Sequence, residues 1–245
     1  MSAIGIIPAR FAASRFPGKP LTPILGRPMI QHVWEGCRSS EHLDRILIAT
    51  DHDEIRETCE GFGAEVAMTR ADHPTGTDRL AEVAATLSEE IVVNIQGDEP
   101  LIQGNIIDAA IDALLADAEA PMATLVHEAE GTALADPNRV KVVLDQRNRA
   151  LYFSRNTIPA LRDPAHRAHY WQHIGLYAYR REFLATFVSL SRTPYEQAEA
   201  LEQLRALEHG YPIAVGEIRD WHSTPVDVPE DIPVVEQQLR AAGRA

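Results

Sequence analysis

Three cations, Arg10, Arg15 and Lys19, fall in one loop-like stretch, Ala9-Arg10-Phe11-Ala12-Ala13-Ser14-Arg15-Phe16-Pro17-Gly18-Lys19-Pro20. Arg10 and Lys19 can place charge on phosphate oxygens, while the small Ala12, Ala13 and Ser14 let backbone N–H groups approach. Together these features suit a polyphosphate. The stretch is not a Walker loop, which needs Gly where Ala13 stands and Ser or Thr where Pro20 stands. No G-x-G-x-x-G follows the preceding apolar run, so a hydride-transferring dehydrogenase is disfavoured as well.

A carboxylate lies farther along. The apolar run Ile91 to Ile95 leads directly into Gln96-Gly97-Asp98-Glu99-Pro100, which puts Asp98 at the C-terminal end of a buried strand. Hard cations such as Mg²⁺ commonly take one or two carboxylates together with phosphate oxygens and water, so Asp98 is a metal-ligand candidate. A second candidate, Asp227, sits in Pro225-Val226-Asp227-Val228-Pro229-Glu230-Asp231. Read singly, the first segment is also a turn and Asp227 also a helix cap.

The elements that must position these groups alternate. Ala3 to Pro8, Arg45 to Thr50, Ala64 to Met68, Glu90 to Gln96 and Met122 to His127 read as strands. Helical spacing lies between them, at Met29 to Trp34 behind Pro28 and over 53–62, 77–88 and 104–118. Thr75 or Thr77 is a natural N-cap for the third of these helices, and Gly76 lets backbone come close to a ligand. Such alternation predicts an α/β fold, a Rossmann-like, mainly parallel sheet with helices on both faces, whose ligands sit beyond the strands' C-terminal ends.

The pattern changes after Gly131. Val140 to Asp145 and Ala150 to Ser154 flank a polar turn and predict a hairpin, the start of a smaller antiparallel lobe. Ile174 to Tyr179 reads as another strand, Tyr195 to His209 as one helix closed by Gly210, and Pro229 to Ala242 as the last helix, with Pro233 against it. The expected organisation is an α/β core over 1–130, a smaller lobe over 131–212, and a return to the core over 213–245.

Composition narrows the partners. A net charge of −13 over 245 residues argues against nucleic acid or an anionic membrane surface. The first 34 residues nevertheless carry four cations and no acid, which leaves 19 basic and 36 acidic side chains for the rest. One basic pocket in an acidic protein suits a small polyanion. Two cysteines, Cys37 and Cys59, read as buried thiols rather than a disulfide framework. No long apolar run and no leader-like start are present, so a cytoplasmic chain is expected.

Ile7-Pro8-Ala9-Arg10-Phe11-x-x-Ser14-Arg15-Phe16-Pro17-Gly18-Lys19-Pro20-Leu21 resembles the signature of the 3-deoxy-manno-octulosonate (Kdo) cytidylyltransferases. His73-Pro74-Thr75-Gly76-Thr77-Asp78-Arg79 resembles the family's H-x-S-G-T-[DE]-R element with Thr75 for Ser. Residues 225–231 resemble its V-D-T-P-E-D element with Val228 for Thr. The resemblance runs from residue 4 to residue 231. It implies transfer of CMP from CTP to the anomeric hydroxyl of an acidic eight-carbon sugar, with release of pyrophosphate, for lipopolysaccharide biosynthesis. It also implies Mg²⁺ as cofactor and a homodimer, with nucleotide binding in the core over 1–130, and sugar binding and dimerisation in the lobe over 131–212. By that resemblance Arg10, Lys19 and Asp98 serve catalysis, and Asp98 and Asp227 hold the metal. Pro8, Ala9, Arg10, Ser14, Lys19, Arg70, Thr75, Gly76, Thr77 and Gln96 form the nucleotide site. The sugar falls to Gln96, Arg155, His173, Tyr177, Glu202 and Gln203, in Tyr152-Phe153-Ser154-Arg155, His173-Ile174-Gly175-Leu176-Tyr177 and Leu201-Glu202-Gln203-Leu204-Arg205. A carboxylate on the sugar accounts for Arg155 and His173.

Three other readings compete. His166, His169 and His173 have a spacing that could gather imidazoles for zinc on one helical face, but the residues after His169 read as a strand and no Cys is near. Another sugar or alditol cytidylyltransferase would use the same phosphate loop. A non-catalytic nucleotide sensor would not require both Asp98 and Asp227.

Overall fold

In the computed structural model, residues 1–11, 16–129, 131–163, 165–219 and 223–244 are described. In chain order the first half gives β1 (Ala3–Ala9), β2 (Pro23–Ile24), β3 (Arg27–Pro28), α1 (Met29–Cys37), β4 (Arg45–Thr50), α2 (Asp53–Gly61), β5 (Glu65–Met68), α3 (Gly76–Ala84), β6 (Ile91–Asn94) and α4 (Gly104–Ala116). The second half gives β7 (Met122–Glu128), β8 (Lys141–Leu144), β9 (Ala150–Ser154), β10 (Trp171–Arg180), α5 (Arg181–Ser189), α6 (Pro194–Glu199), α7 (Leu204–Glu208), β11 (Ile213–Glu217) and α8 (Ile232–Ala241). The sheet is mixed and mostly parallel. No helix among the described residues is long and apolar enough to cross a membrane.

The chain divides into two compact units, residues 1–108 with 222–245, and residues 109–221. In the first, β1 pairs in parallel with β4 on one side and β6 on the other, and β5 pairs in parallel with β4. β1 is nearly all apolar because both its faces are covered: Ile4, Ile6 and Ile7 are fully buried. The same register aligns Ala9 with Thr50 and Thr50 with Met68, so these strands end along one edge. Ile24, Met29, Leu101, Val226, Val235 and Leu239 form a core that fastens α8 to α1 and the β2–β3 ribbon.

In the second unit β7 lies between antiparallel β10 and parallel β11. β8 and β9 form the expected hairpin, and β8 continues the sheet onto β10. The expected boundaries fall after residues 130 and 212, whereas the compact units divide after 108 and 221, β7 pairing with β10 and β11 in the second unit. The sequence pattern did not disclose α5 or β11.

Two helices differ from expectation. The single helix read over 195–209 is α6 and α7, because Ala200 turns left-handed at φ 51° and its neighbourhood is rewired. Arg155 supplies the cause, donating from Nε to the Glu199 carbonyl at 2.7 Å and from Nη2 to the Ala200 carbonyl at 3.3 Å. At the far end, Pro229–Asp231 is a 3-10 turn and α8 starts only at Ile232. Pro233 therefore occupies the first turn of α8, where a missing N–H costs nothing.

Candidate active site

The loop after β1 is closed at its base. Gly18, in the left-handed region at φ 70°, donates its N–H to the Phe11 carbonyl at 2.9 Å, and the Lys19 N–H reaches the Phe16 carbonyl at 3.2 Å. A side chain at Gly18 would be strained, so glycine is needed for that closure. The closure aims Lys19 at the sheet edge. Ser14 and Arg15 lie outside the described residues.

At that edge a cleft of about 190 Å³ opens among Pro8, Ala9 and Arg10 at the end of β1, Lys19, Gly76 at the start of α3, and Gln96 to Asp98 after β6. Gly97 allows this approach, since a Cβ there would stand 3.1 Å from the Pro8 carbonyl oxygen. Thus Pro8, Ala9, Arg10, Lys19, Gly76, Gln96 and Asp98 share one site. Lys19 Nζ donates to Asp98 Oδ2 at 2.8 Å and lies 3.7 Å from Asp227 Oδ1. The second carboxylate arrives because the Val226 N–H donates to the Asp98 carbonyl at 2.9 Å. Asp231 takes over the capping, its Oδ2 accepting from the Asp227 and Val228 N–H groups at 2.8 and 3.0 Å. The Asp227 side chain stays largely exposed beside Lys19.

Two carboxylates that already share one cation form a hard oxygen donor pair, and phosphate oxygens and water can complete an octahedron around Mg²⁺. Asp98 and Asp227 therefore fit a divalent metal. Glu99, which the sequence reading passed over, faces the same region. Ser223 Oγ donates to its Oε2 at 2.5 Å, and desolvation pushes its pKa up to about 7, with repulsion from Asp98 and Asp227 adding to the effect. Its adjacency to Asp98 in Gly-Asp-Glu-Pro was the available signal.

Arg70, Thr75 and Thr77 lie off the cleft lining. Thr75 caps α3, accepting from the Asp78 N–H at 3.1 Å while Asp78 Oδ2 accepts from the Thr75 N–H at 3.1 Å. This is the reciprocal capping box. Thr77 is buried and Arg70 is exposed, paired with Asp72 at 3.0 Å. Arg79, fully buried behind them, binds Asp51 at 3.1 Å and Thr69, and Phe11 stacks on His52 with ring centres 3.9 Å apart.

The sugar set falls in the second unit, apart from Gln96 in the first. His173 and Tyr177 on β10 have ring centres 5.4 Å apart. Thr124 has one hydroxyl proton, which it can give to the Leu176 carbonyl at 2.8 Å while accepting from His173 Nε2 at 2.9 Å. That arrangement fixes the Nε2–H tautomer and leaves Nδ1 as an acceptor. The ring is open at its rim yet lies deep among neighbouring atoms, and desolvation pushes its pKa down to about 3. Neutral His173 offers hydrogen bonds rather than charge. Tyr177 and Tyr179 are pushed far up, first by burial and then by the charge of Glu202. Gln203 is buried with its Nε2 making no hydrogen bond. Arg205 anchors this segment through Glu196 at 2.5 and 2.9 Å, both partners buried, and its guanidinium lies 5.0 Å from the Phe187 ring centre.

His166 and His169 are exposed, on residues that form no helix, while His173 belongs to β10, so the three imidazoles share no helical face. Cys37 and Cys59 are buried free thiols.

The chain matches the cytidylyltransferase family model over residues 4–218. It is 51% identical to a 3-deoxy-manno-octulosonate cytidylyltransferase of Syntrophotalea carbinolica, over 98% of this chain and 99% of that one. The chain belongs to the 3-deoxy-manno-octulosonate cytidylyltransferase family. A relative of the same name from Myxococcus xanthus is 47% identical over 98% of this chain and 97% of its own. A solved structure titled CMP:2-keto-3-deoxy-manno-octonic acid synthetase complexed with CTP superposes with a TM-score of 0.94 at 40% identity, covering 99% of this chain and all of that one. As a member of this cytidylyltransferase family the chain is a nucleotidyltransferase.

Proposed function

We propose that this enzyme transfers CMP from CTP to the anomeric hydroxyl of 3-deoxy-D-manno-octulosonate and releases pyrophosphate, the activated sugar serving lipopolysaccharide synthesis. The observation that carries the reading is Lys19 Nζ, held 2.8 Å from Asp98 and 3.7 Å from Asp227 on a cleft that Arg10 also lines. A bound triphosphate draws Arg10 and Lys19 onto its oxygens, and these cations neutralise the charge that grows in the transition state. Asp98 and Asp227 would hold Mg²⁺, which when bound would supply positive charge to the phosphates and make the attacking hydroxyl more acidic. No covalent enzyme intermediate is needed, because in-line positioning suffices.

Pro8, Ala9, Gly76 and Gln96 shape the nucleotide site, with Ser14, Arg70, Thr75 and Thr77 nearby in sequence. Residues 1–130 and 213–245 serve the nucleotide, and 131–212 the sugar and a homodimer contact. For the sugar, Gln96, Tyr177, Glu202 and Gln203 meet hydroxyls, neutral His173 accepts through Nδ1, and Arg155 supplies charge for the carboxylate. The enzyme works in the cytoplasm, where CTP is available.

The test is pyrophosphate release from CTP and Mg²⁺ with Kdo, its amino-substituted analogue, other acidic sugars and no acceptor. Release with Kdo well above every other acceptor is expected. Equal rates with unrelated sugar acids, or CTP binding with no product from any of them, would sink the reading.

A further inference from the structure

Lys141 opens β8 as a fully buried cation with no carboxylate among the described residues in hydrogen-bond contact. Its three ammonium protons go to three backbone carbonyls, those of Asp136 at 2.8 Å, Arg139 at 2.6 Å and Arg155 at 2.6 Å. Those carbonyls belong to two segments far apart in sequence, the 136–139 loop and the end of β9. Arg155 then extends the connection. Its Nη1 donates to the Pro137 carbonyl at 3.1 Å, its Nε to the Glu199 carbonyl at 2.7 Å, and its N–H to Glu199 Oε2 at 2.9 Å. Ser154 Oγ donates to the other Glu199 oxygen at 2.7 Å. The left-handed turn at Ala200 follows directly and leads into Glu202 and Gln203.

We infer that Lys141 is a positioning residue for the acceptor sugar: it fixes the backbone of Arg155, and through Arg155 the turn that presents Glu202 and Gln203. The inference depends on the proposed reading of that region as the sugar site. A buried ammonium is costly to desolvate unless every proton is satisfied, so this one tolerates only a narrow arrangement of its three carbonyls. That intolerance makes it a template. Removing the donors takes this partner from the Arg139 and Arg155 carbonyls, while the Asp136 carbonyl keeps the Arg139 N–H at 3.2 Å, and the loop and the Arg155 backbone must move to rehydrate what is lost.

The experiment measures both Michaelis constants of wild type, Lys141→Met, Lys141→Gln and Lys141→Arg, together with thermal midpoints. A Michaelis constant does not depend on the fraction of chains folded, so a split between substrates separates positioning from stability. The expected result is a rise of about tenfold or more in KM for the sugar, as misplacement by a fraction of an ångström can cause, with KM for CTP within about twofold. Lys141→Arg, which keeps the charge but cannot place three donors on one atom, should fall between Met and wild type. Unchanged KM for the sugar with a lowered midpoint, equal rises for both substrates, or loss of fold in all three variants would each assign Lys141 to stability alone and overturn the inference. The wild-type arm tests the reading separately: if another acidic sugar is the acceptor, the Kdo assignment fails and the Lys141 comparison is made with that sugar.

Discussion

Lys19 Nζ and Asp98 Oδ2 lie 2.8 Å apart, joining the phosphate loop to the end of β6 across 79 residues of sequence. The carboxylate thus holds the lysine in place before any substrate arrives. A polyphosphate and a divalent cation would divide this pair between them, each partner going to the opposite charge.

Asp98→Asn should therefore abolish turnover, lowering kcat by about a thousandfold or more, because a neutral amide holds a divalent cation far more weakly than a carboxylate and does not balance Lys19. The Asp98 backbone carbonyl still receives the Val226 N–H, so the fold should survive. Pyrophosphate release together with a thermal melt checks both halves; near-normal release would refute the assignment.

Lys19→Met should lower kcat/KM for CTP by about a hundredfold, in line with a charge-assisted contact worth about 2 to 3 kcal/mol. Stability should change by less than about 1 kcal/mol, because the partners of this pair are partly exposed. Steady-state pyrophosphate release with varied CTP and urea unfolding read the two effects independently, and an unchanged kcat/KM for CTP would remove Lys19 from the site.

His173 gives the protein an acid sensitivity. Its folded pKa of about 3 lies below the usual 6.5, so between those values the unfolded chain binds a proton that the folded chain refuses. The stabilisation is complete above about pH 6.5 and is lost as pH falls toward 3, with a slope of at most about 1.4 kcal/mol per pH unit. Urea unfolding of wild type and His173→Gln at pH 7 and pH 4.5 should show the wild type losing about 2 kcal/mol more between the two conditions. Parallel losses would mean that His173 is not the group responsible.

Arg205 and Glu196 are both buried, with contacts of 2.5 and 2.9 Å. Arg205→Met alone strands the carboxylate and should cost about 3 to 5 kcal/mol, whereas Arg205→Met with Glu196→Leu should recover much of it. Denaturant unfolding of the two singles and the double gives the coupling. Additive losses would show that the pair is not acting as a unit.

The first unit was largely readable from the chain, for a local reason. Parallel strands buried on both faces announce themselves as apolar runs, and Thr75 with Asp78 declares the start of α3 within four residues. Arg10 and Asp98 follow strand ends, where the pattern alone predicts ligands, Lys19 closes the loop after β1, and the three share one cleft. What escaped was long-range. The break at Ala200 interrupts an amphipathic pattern that is sound locally, and its cause is an arginine 45 residues away. β11 is short, and it is a strand because β7 offers it an edge. The role of Asp231 as the cap that leaves Asp227 beside Lys19 could not be separated, from sequence, from capping by Asp227 itself.

The first compact unit is built from residues 1–108 and 222–245, with the whole of the second encoded between them. On the ribosome, then, the strands and the phosphate loop emerge well before Val226 can dock on Asp98 and bring Asp227 beside Lys19. A nascent or prematurely terminated chain ending upstream of Asp227 carries a loop able to attract triphosphate but only one of the two acids, so competence is conferred late in synthesis, after the intervening unit has been made.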